Sequence, residues 1–402
     1  EYGMVTGRDR SAREMNLTIG CAFMREHEHE DVVVISPSCI YACTRFRVRK
    51  TKLLPREEYL RIMRMSMPEV VAHLGRQEDY QDVMDLAGDF SGAQLIEEAV
   101  NRSLARSFRN AMVIAPGDLH TLTGEYLARW DIANVMAILR GTVHNIPRRQ
   151  VRDLLIPAGE VDSALLDHLL DLATCSEVLE ALRGWRLYPV LAEYYRICGE
   201  RGVFARIENE LYRCYYAGLL GLAASGCSGC RELIAYLRFE IDITNMKNLL
   251  RLHCAREACD ITVVDRTMIS GGRIPLSLFR RLYGVETEEE FVNIFLQTEI
   301  VPILAQAVRE LRQDPNFSSI DAAELVWRRW HQHRRPIHEV EIAITRVRLQ
   351  QMDSLSRRQP FSVLPVLAYL ERKKYEVANL RAIARGKAFG LPSERIWQYI
   401  VM

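Results

Sequence analysis

The sequence predicts an all-α protein built from three related helical units. Three observations lead there: a ten-residue pattern recurs three times, the apolar residues inside each copy follow helical spacing, and strand-like alternation is confined to Val32–Ile35 and Ile261–Val264. The copies are DIANVMAILR from Asp131 to Arg140, DITNMKNLLR from Asp242 to Arg251, and EVANLRAIAR from Glu376 to Arg385. Each reads acid, β-branched residue, any residue, Asn, apolar residue, and closes on Arg. A segment repeated within one chain reveals architecture directly, because each copy folds as a unit that needs neighbours to bury its apolar face.

Composition bounds the class before any motif is weighed. A chain of 402 residues has room for two or three domains and buries a sizeable core without crosslinks. About half of it is apolar and 26% is charged, the profile of a globular protein. The 53 basic and 52 acidic residues leave a net charge of +1, so no broad field draws the surface onto a phosphate backbone, and no nucleic-acid partner is expected. The longest nearly apolar stretch, Tyr215 to Ala224, is about half of the roughly 20 residues a helix needs to span a bilayer, so no direct membrane span is expected. Ten irregularly spaced cysteines make no secreted disulfide framework and no signal core is visible; a reduced, cytoplasmic protein is the expectation.

In chain order, residues 1–39 differ in character from the rest and carry the run His27, Glu28, His29, Glu30, Asp31; they read as an extension of unclear role. The first helical unit spans 40–155 and opens on a basic stripe containing Arg45, Arg47, Arg49, Lys50 and Lys52. Its repeat helix places Ile132, Val135, Ile138 and Leu139 at i, i+3, i+6 and i+7, one buried face of a helix. The second unit spans 156–274 and the third 275–402. Glu97 and Glu208 both lie 34 residues before the repeated acid in similar turns, so each unit contains at least two helices.

A second marker occurs four times: an aliphatic residue, then Pro, then four positions on an apolar or aromatic residue. The copies are Leu54-Pro55 to Tyr59, Ile146-Pro147 to Val151, Ile274-Pro275 to Phe279, and Leu391-Pro392 to Ile396. Proline at the first helical position loses nothing, since its missing N–H would be unpaired there and its φ already suits a helix, so Pro55, Pro147, Pro275 and Pro392 each mark a helix start. The acid-to-proline distance is 16 residues in the first and last copies and 33 in the middle one, where Cys254 to Arg273 reads as an insertion with a Gly271-Gly272 loop.

The repeated Asn134, Asn245 and Asn379 are poor choices inside a helix and read as fold residues whose amides bond a neighbouring helix or loop. Three equivalent copies argue against catalysis, which needs one asymmetric constellation. No GxxxxGK[ST], GxGxxG, HExxH or GxSxG pattern occurs, and no catalytic, cofactor-binding or metal-ligating residue is assigned. Cys227 and Cys230 form a lone CxxC, better read as a Gly-rich turn with small buried thiols than as half of a zinc or redox site. The HEHED run, and His331 with His333, read as solvated polar segments rather than metal ligands. Trp327, Trp330, Arg328 and Arg329 offer stacking and charge to a nucleic acid, but equally abundant acids nearby point to protein contacts.

The stretch from Leu367 to Val401, LAYLERKKYEVANLRAIARGKAFGLPSERIWQYIV, resembles the closing segment of the C/d subunit family of archaeal and vacuolar rotary ATPases. The segment YACTRFRVRKTKLL, Tyr41 to Leu54, is similar to that family's amino-terminal signature, so the resemblance covers roughly nine-tenths of the chain. It implies three similar helical bundles in a pseudo-threefold arrangement, forming a funnel with a central cavity. It also implies one copy per complex, peripheral on the cytoplasmic face of the cell membrane, coupling D- and F-type central-stalk subunits to the membrane proteolipid ring of a proton- or sodium-translocating A/V-type ATP synthase. The role would be non-catalytic and without cofactors. Arg45, Arg47, Arg49, Arg148 and Arg149 are the expected partner contacts. Two alternatives stand beside it: a helical-repeat scaffold or adaptor unrelated to a membrane rotor, and a thiol or metal enzyme built on Cys227 and Cys230.

Overall fold

Local chemistry sets where the helices begin and end. In the computed structural model, which describes residues 36–198, 204–226, 230–254, 262–312, 314–331 and 338–402, Ser66 opens the Met67–Gly75 helix with a capping box, its N–H and hydroxyl both meeting the Glu69 carboxylate at 2.7 and 2.8 Å. Thr174 and Glu177 repeat the device ahead of Cys175–Ala181, and Asp162 accepts the Leu165 N–H at 2.8 Å to open Ser163–Asp171. The first and last repeat helices stop alike. Asn145 (φ 51°) and Gly390 (φ 67°) turn left-handed just beyond them, the conformation these two residue types adopt at least cost.

The described residues contain helices and turns but no strand, so the chain is all-α there. Of the two strand-like runs, Val32–Ile35 lies outside the described residues. The other is corrected: Thr262–Thr267 is a helix, in which Val264 is buried and Met268, four positions on, is buried beside it. A β-branched run yields when one helical face finds a core to join, since packing outweighs propensity.

Three clusters of buried apolar side chains hold residues 37–402 together as one unit. One joins Phe46–Ala111 to Val366–Ile400, near the two ends of the described body; another centres on Ala115–Ile269 and takes in Met352–Ala368; the third lies within Phe239–Val347. The Leu364–Ala388 helix carries buried residues on every face, including the charged Glu371, Lys373 and Glu376. It packs against the Gly92–Ile114, Pro37–Thr51 and His338–Arg358 helices. A helix buried on so many faces needs the polar groups it carries there paired.

No single described helix is long and apolar enough to cross a membrane. The pair Glu288–Phe295 and Ile300–Glu310 has the length and composition together, but it bends by 102°, and Phe291, Phe295, Val301 and Leu304 are buried in the third cluster.

Candidate functional site

Each repeat copy uses its Asn and its acid to hold backbone from elsewhere in the chain. Asn134 donates to the Ile156 carbonyl at 2.7 Å and accepts the Ile156 N–H at 2.9 Å. Asn245 does the same with Ile269 at 2.8 and 2.7 Å, and Asn379 with Val401 at 2.7 and 2.9 Å. A carboxamide presents one donor and one acceptor side by side, so it pairs with a whole peptide unit as another backbone segment would. The carboxylate, which only accepts, takes neighbouring N–H groups instead: Asp131 those of Glu160 and Val161 at 2.8 and 3.1 Å, Asp242 those of Arg273 and Ile274 at 3.0 and 3.1 Å. Glu376 takes the Leu54 N–H at 2.6 Å, while its other oxygen receives the Lys373 ammonium at 2.7 Å and the Tyr80 hydroxyl.

Two glycines let the first two of these joints close. A Cβ on Gly159 or Gly272 would fall inside the carboxylates of Asp131 or Asp242, far within van der Waals distance. Burial raises both carboxyls to about 6, against the pull of the backbone N–H groups that each accepts. In the third joint the longer Glu376 reaches across, and no glycine among the described residues abuts it.

All four prolines sit one residue before a helix, at the N-cap rather than at the first helical position, and each carbonyl accepts the N–H three residues on. The N-cap N–H is as dispensable as that of the first helical residue, so the proline logic survives the shift. The four are not one marker, however. Ile146 and Leu391 donate to Gly141 and Gly386, closing the turn straight after a repeat helix, and Val151 and Ile396 pack on those glycines where a Cβ would lie only 2.6 Å away. Leu54 and Ile274 instead donate to the acid of a repeat copy, the place that Val161 takes in the first joint. The 33-residue spacing before Pro275 therefore reflects a second kind of helix start, with Thr262–Thr267 and Ile269 supplying the intervening joint.

Two residues before each repeated acid stand Arg129, Glu240 and Lys374, and all three line one cavity of about 850 Å³. Part of its wall is a buried charge cluster. Arg129 donates to both Glu240 oxygens at 2.9 Å and to the Tyr215 hydroxyl at 2.9 Å, with its guanidinium 3.7 Å from the Tyr126 ring centre. Arg348 bridges Glu240 and Glu371, the latter at 2.5 Å, and Tyr126 donates to Glu371 at 2.9 Å. Burial pushes the Glu371 carboxyl up, but Arg348, Lys374 and Arg129 more than offset it and hold it down at about 2. Glu240 is likewise held low by Arg129 and Arg348 against its burial. Sequence reading missed this cluster. Its only signal is that the repeat, extended two residues towards the amino terminus, puts three charged side chains of mixed sign at equivalent positions.

The expected partner-contact arginines lie elsewhere, and none lines the cavity. Arg45 and Arg47 are exposed and Arg49 half-buried on the Pro37–Thr51 helix, whose Ala42, Cys43 and Phe46 face inward; Arg45 bonds Tyr41 at 3.2 Å. Arg148 pairs with Asp171, and Arg149 lies over the Phe90 ring at 5.5 Å. Trp327 is buried against Phe291 at 5.3 Å, which removes it as a stacking surface, and Arg328 pairs with Glu324 at 2.6 Å. Among the described residues no group of three His, Cys, Asp or Glu could hold a metal. Cys230 is buried and disulfide-bonded, a departure from the reduced thiols expected; Cys227, His333, the HEHED run and the side chains of Arg329, Trp330 and His331 lie outside the described residues.

A model of the ATP synthase (C/AC39) subunit family matches residues 42–399. The C subunit of the A-type ATP synthase of Methanosarcina barkeri is 33% identical over 363 residues, which cover 90% of this chain and 92% of that protein. Its counterpart in Archaeoglobus fulgidus is 30% identical over 365 residues, 90% of this chain and 96% of its own, and that of Haloferax volcanii is 32% identical over 364 residues, 90% and 97%.

Proposed function

The chain belongs to the ATP synthase C/AC39 subunit family, and from that premise we propose that it is the non-catalytic rotor piece coupling the central stalk to the membrane proteolipid ring. The observation that carries the reading is the convergence of Arg129, Glu240 and Lys374, one from each repeat copy, on a single half-open cavity. Three equivalent positions meeting at one place is what a pseudo-threefold funnel of helical units 40–155, 156–274 and 275–402 requires. In this reading the cavity is the mouth that receives D- and F-type stalk subunits, and the opposite end rests on the ring at the cytoplasmic face, one copy per complex. Torque crosses the body without any covalent step, so ATP synthesis and proton or sodium movement take place in neighbouring subunits.

The charge cluster suits that load. Each buried charge meets an opposite one with several hydrogen bonds, and such a cluster is costly to pull apart because parting leaves a buried ion unpaired. Arg45, Arg47, Arg49, Arg148 and Arg149 are assigned to the outer contacts with these partners, since arginine is enriched at protein interfaces.

Membranes lacking this protein are expected to retain ATP hydrolysis by the soluble head while losing ion pumping; pumping that persists without it sinks the coupling role. Co-purification with ring and stalk subunits in mild detergent separates this reading from a helical scaffold for unrelated partners, which would leave both behind.

A further inference from the structure

We infer that the segment entering the cavity is an acidic tip of the central stalk, with carboxylates set to meet Arg206 and Arg266. This rests on the socket reading and adds the chemistry of the occupant.

The argument is one of charges left over. The cavity is lined by five cations, Arg129, Arg206, Arg266, Arg348 and Lys374, and by two acids, Glu208 and Glu240. Both acids are already engaged, Glu240 with Arg129 and Arg348, and Glu208 with Arg140. Glu371, just behind the lining, is held by Arg348 at 2.5 Å and is 3.8 Å from Lys374. Among the described residues Arg206 meets the Tyr194 ring, 5.6 Å from its guanidinium carbon, and its buried Nε has no hydrogen-bond partner there. Arg266 is exposed on the Thr262–Thr267 helix and makes no ion pair among the described residues. Between these cations the wall is mixed, with Asn209, Thr244 and Asn248 beside the apolar Leu252, Val263 and Ile269.

A lining of this kind attracts anions and repels a basic segment, because complementary potential sets both the rate and the choice of encounter. The volume of 850 Å³ corresponds to roughly one and a half turns of a helix about 11 Å across, so the fit is to the end of a helical stalk rather than to its flank.

The test is titration calorimetry of the full chain with the purified D- and F-type stalk pair, at low and high salt, with thermal unfolding as the control for folding. Wild-type affinity is expected to weaken about tenfold between roughly 0.05 and 0.5 M salt, and R206E/R266E to weaken binding about 30-fold at low salt. R206K/R266K should stay near wild type, as should R231E, which reverses an exposed charge outside the cavity. If the double reversal does not fold, R206Q/R266Q and the wild-type salt dependence still decide the matter.

Salt-independent binding that the reversals leave unchanged overturns the acidic tip while the socket stands. If the wild-type chain binds the ring but not the stalk pair at either salt, the socket falls and the acidic tip with it. Binding of inorganic tripolyphosphate without any binding of the stalk pair also overturns the proposal, in favour of a small polyanion.

Discussion

Asn245 is fully buried, so its two bonds to Ile269 have no water to replace them. Asn245→Ala is expected to cost about 2–4 kcal/mol, measured by urea unfolding, because it strands a buried N–H and a buried carbonyl together. Gly272→Ala should cost at least as much by driving a methyl into the Asp242 carboxylate, whereas Gly88→Ala, where a Cβ meets open space, should be neutral within about 0.5 kcal/mol. The same carboxylates carry a pH dependence. Asp131 and Asp242 titrate at about 6 in the folded chain against an ordinary 3.8, so between pH 4 and 6 the folded state holds more protons than the unfolded one. Stability therefore falls as pH rises through that window, by at most about 3 kcal/mol per carboxyl. Glu371 acts with the opposite sign: its folded value of about 2 lies below 4.5, so its contribution is lost as pH drops from about 4.5 towards 2. Unfolding midpoints followed from pH 3 to 7 should show the upper slope in wild type and a flatter one in D131N/D242N; equal slopes would remove these two residues as its source. The amides and acids were conspicuous in the sequence because each serves a local backbone need that recurs in every copy. Their bonding partners, 22 to 32 residues further on or at the other end of the chain, were not.

At the scale of helices, proline spacing located four starts correctly, because an N-cap depends on the few residues around it. It could not tell the two kinds of start apart, since Pro147 and Pro275 look alike until the acceptors of Ile146 and Ile274 are known, Gly141 in one case and Asp242 in the other. The charge cluster was hidden for a related reason. Arg129 and Glu240 are 111 residues apart, and Arg348 and Glu240 108, so only the packing of distant helices brings them together. Glu240→Ala leaves two buried guanidinium groups short of a counter-charge and is expected to cost about 3–5 kcal/mol, more than any surface ion pair such as Arg183 with Glu180. If a double-mutant cycle between Arg129 and Glu240 gave a coupling below about 0.5 kcal/mol, these helices would be held by their apolar faces alone.

Across the whole molecule, helical class and the threefold recurrence could be read from periodicity, while the sharing of core clusters between distant stretches could not, since one cluster draws on residues from Phe46 to Ile400. The joints run in sequence: Asp131 holds the start of Ser163–Asp171, Asp242 the start of Leu276–Gly284, and Glu376 the start of Arg56–Arg64. Only the last needs both ends of the body, Val401 on Asn379 and Leu54 on Glu376. Deleting Ile400–Met402 removes a fully buried isoleucine and the carbonyl that receives Arg346, along with the Asn379 pairing. The expected loss is about 3–5 kcal/mol, read as a lower midpoint in urea with the helix content of the folded chain unchanged. Leu54 and Val401, 347 positions apart in sequence, are anchored three residues from each other on Leu364–Ala388, so pulling on one loads the other. Load that reaches either segment is therefore borne by the helix that both share.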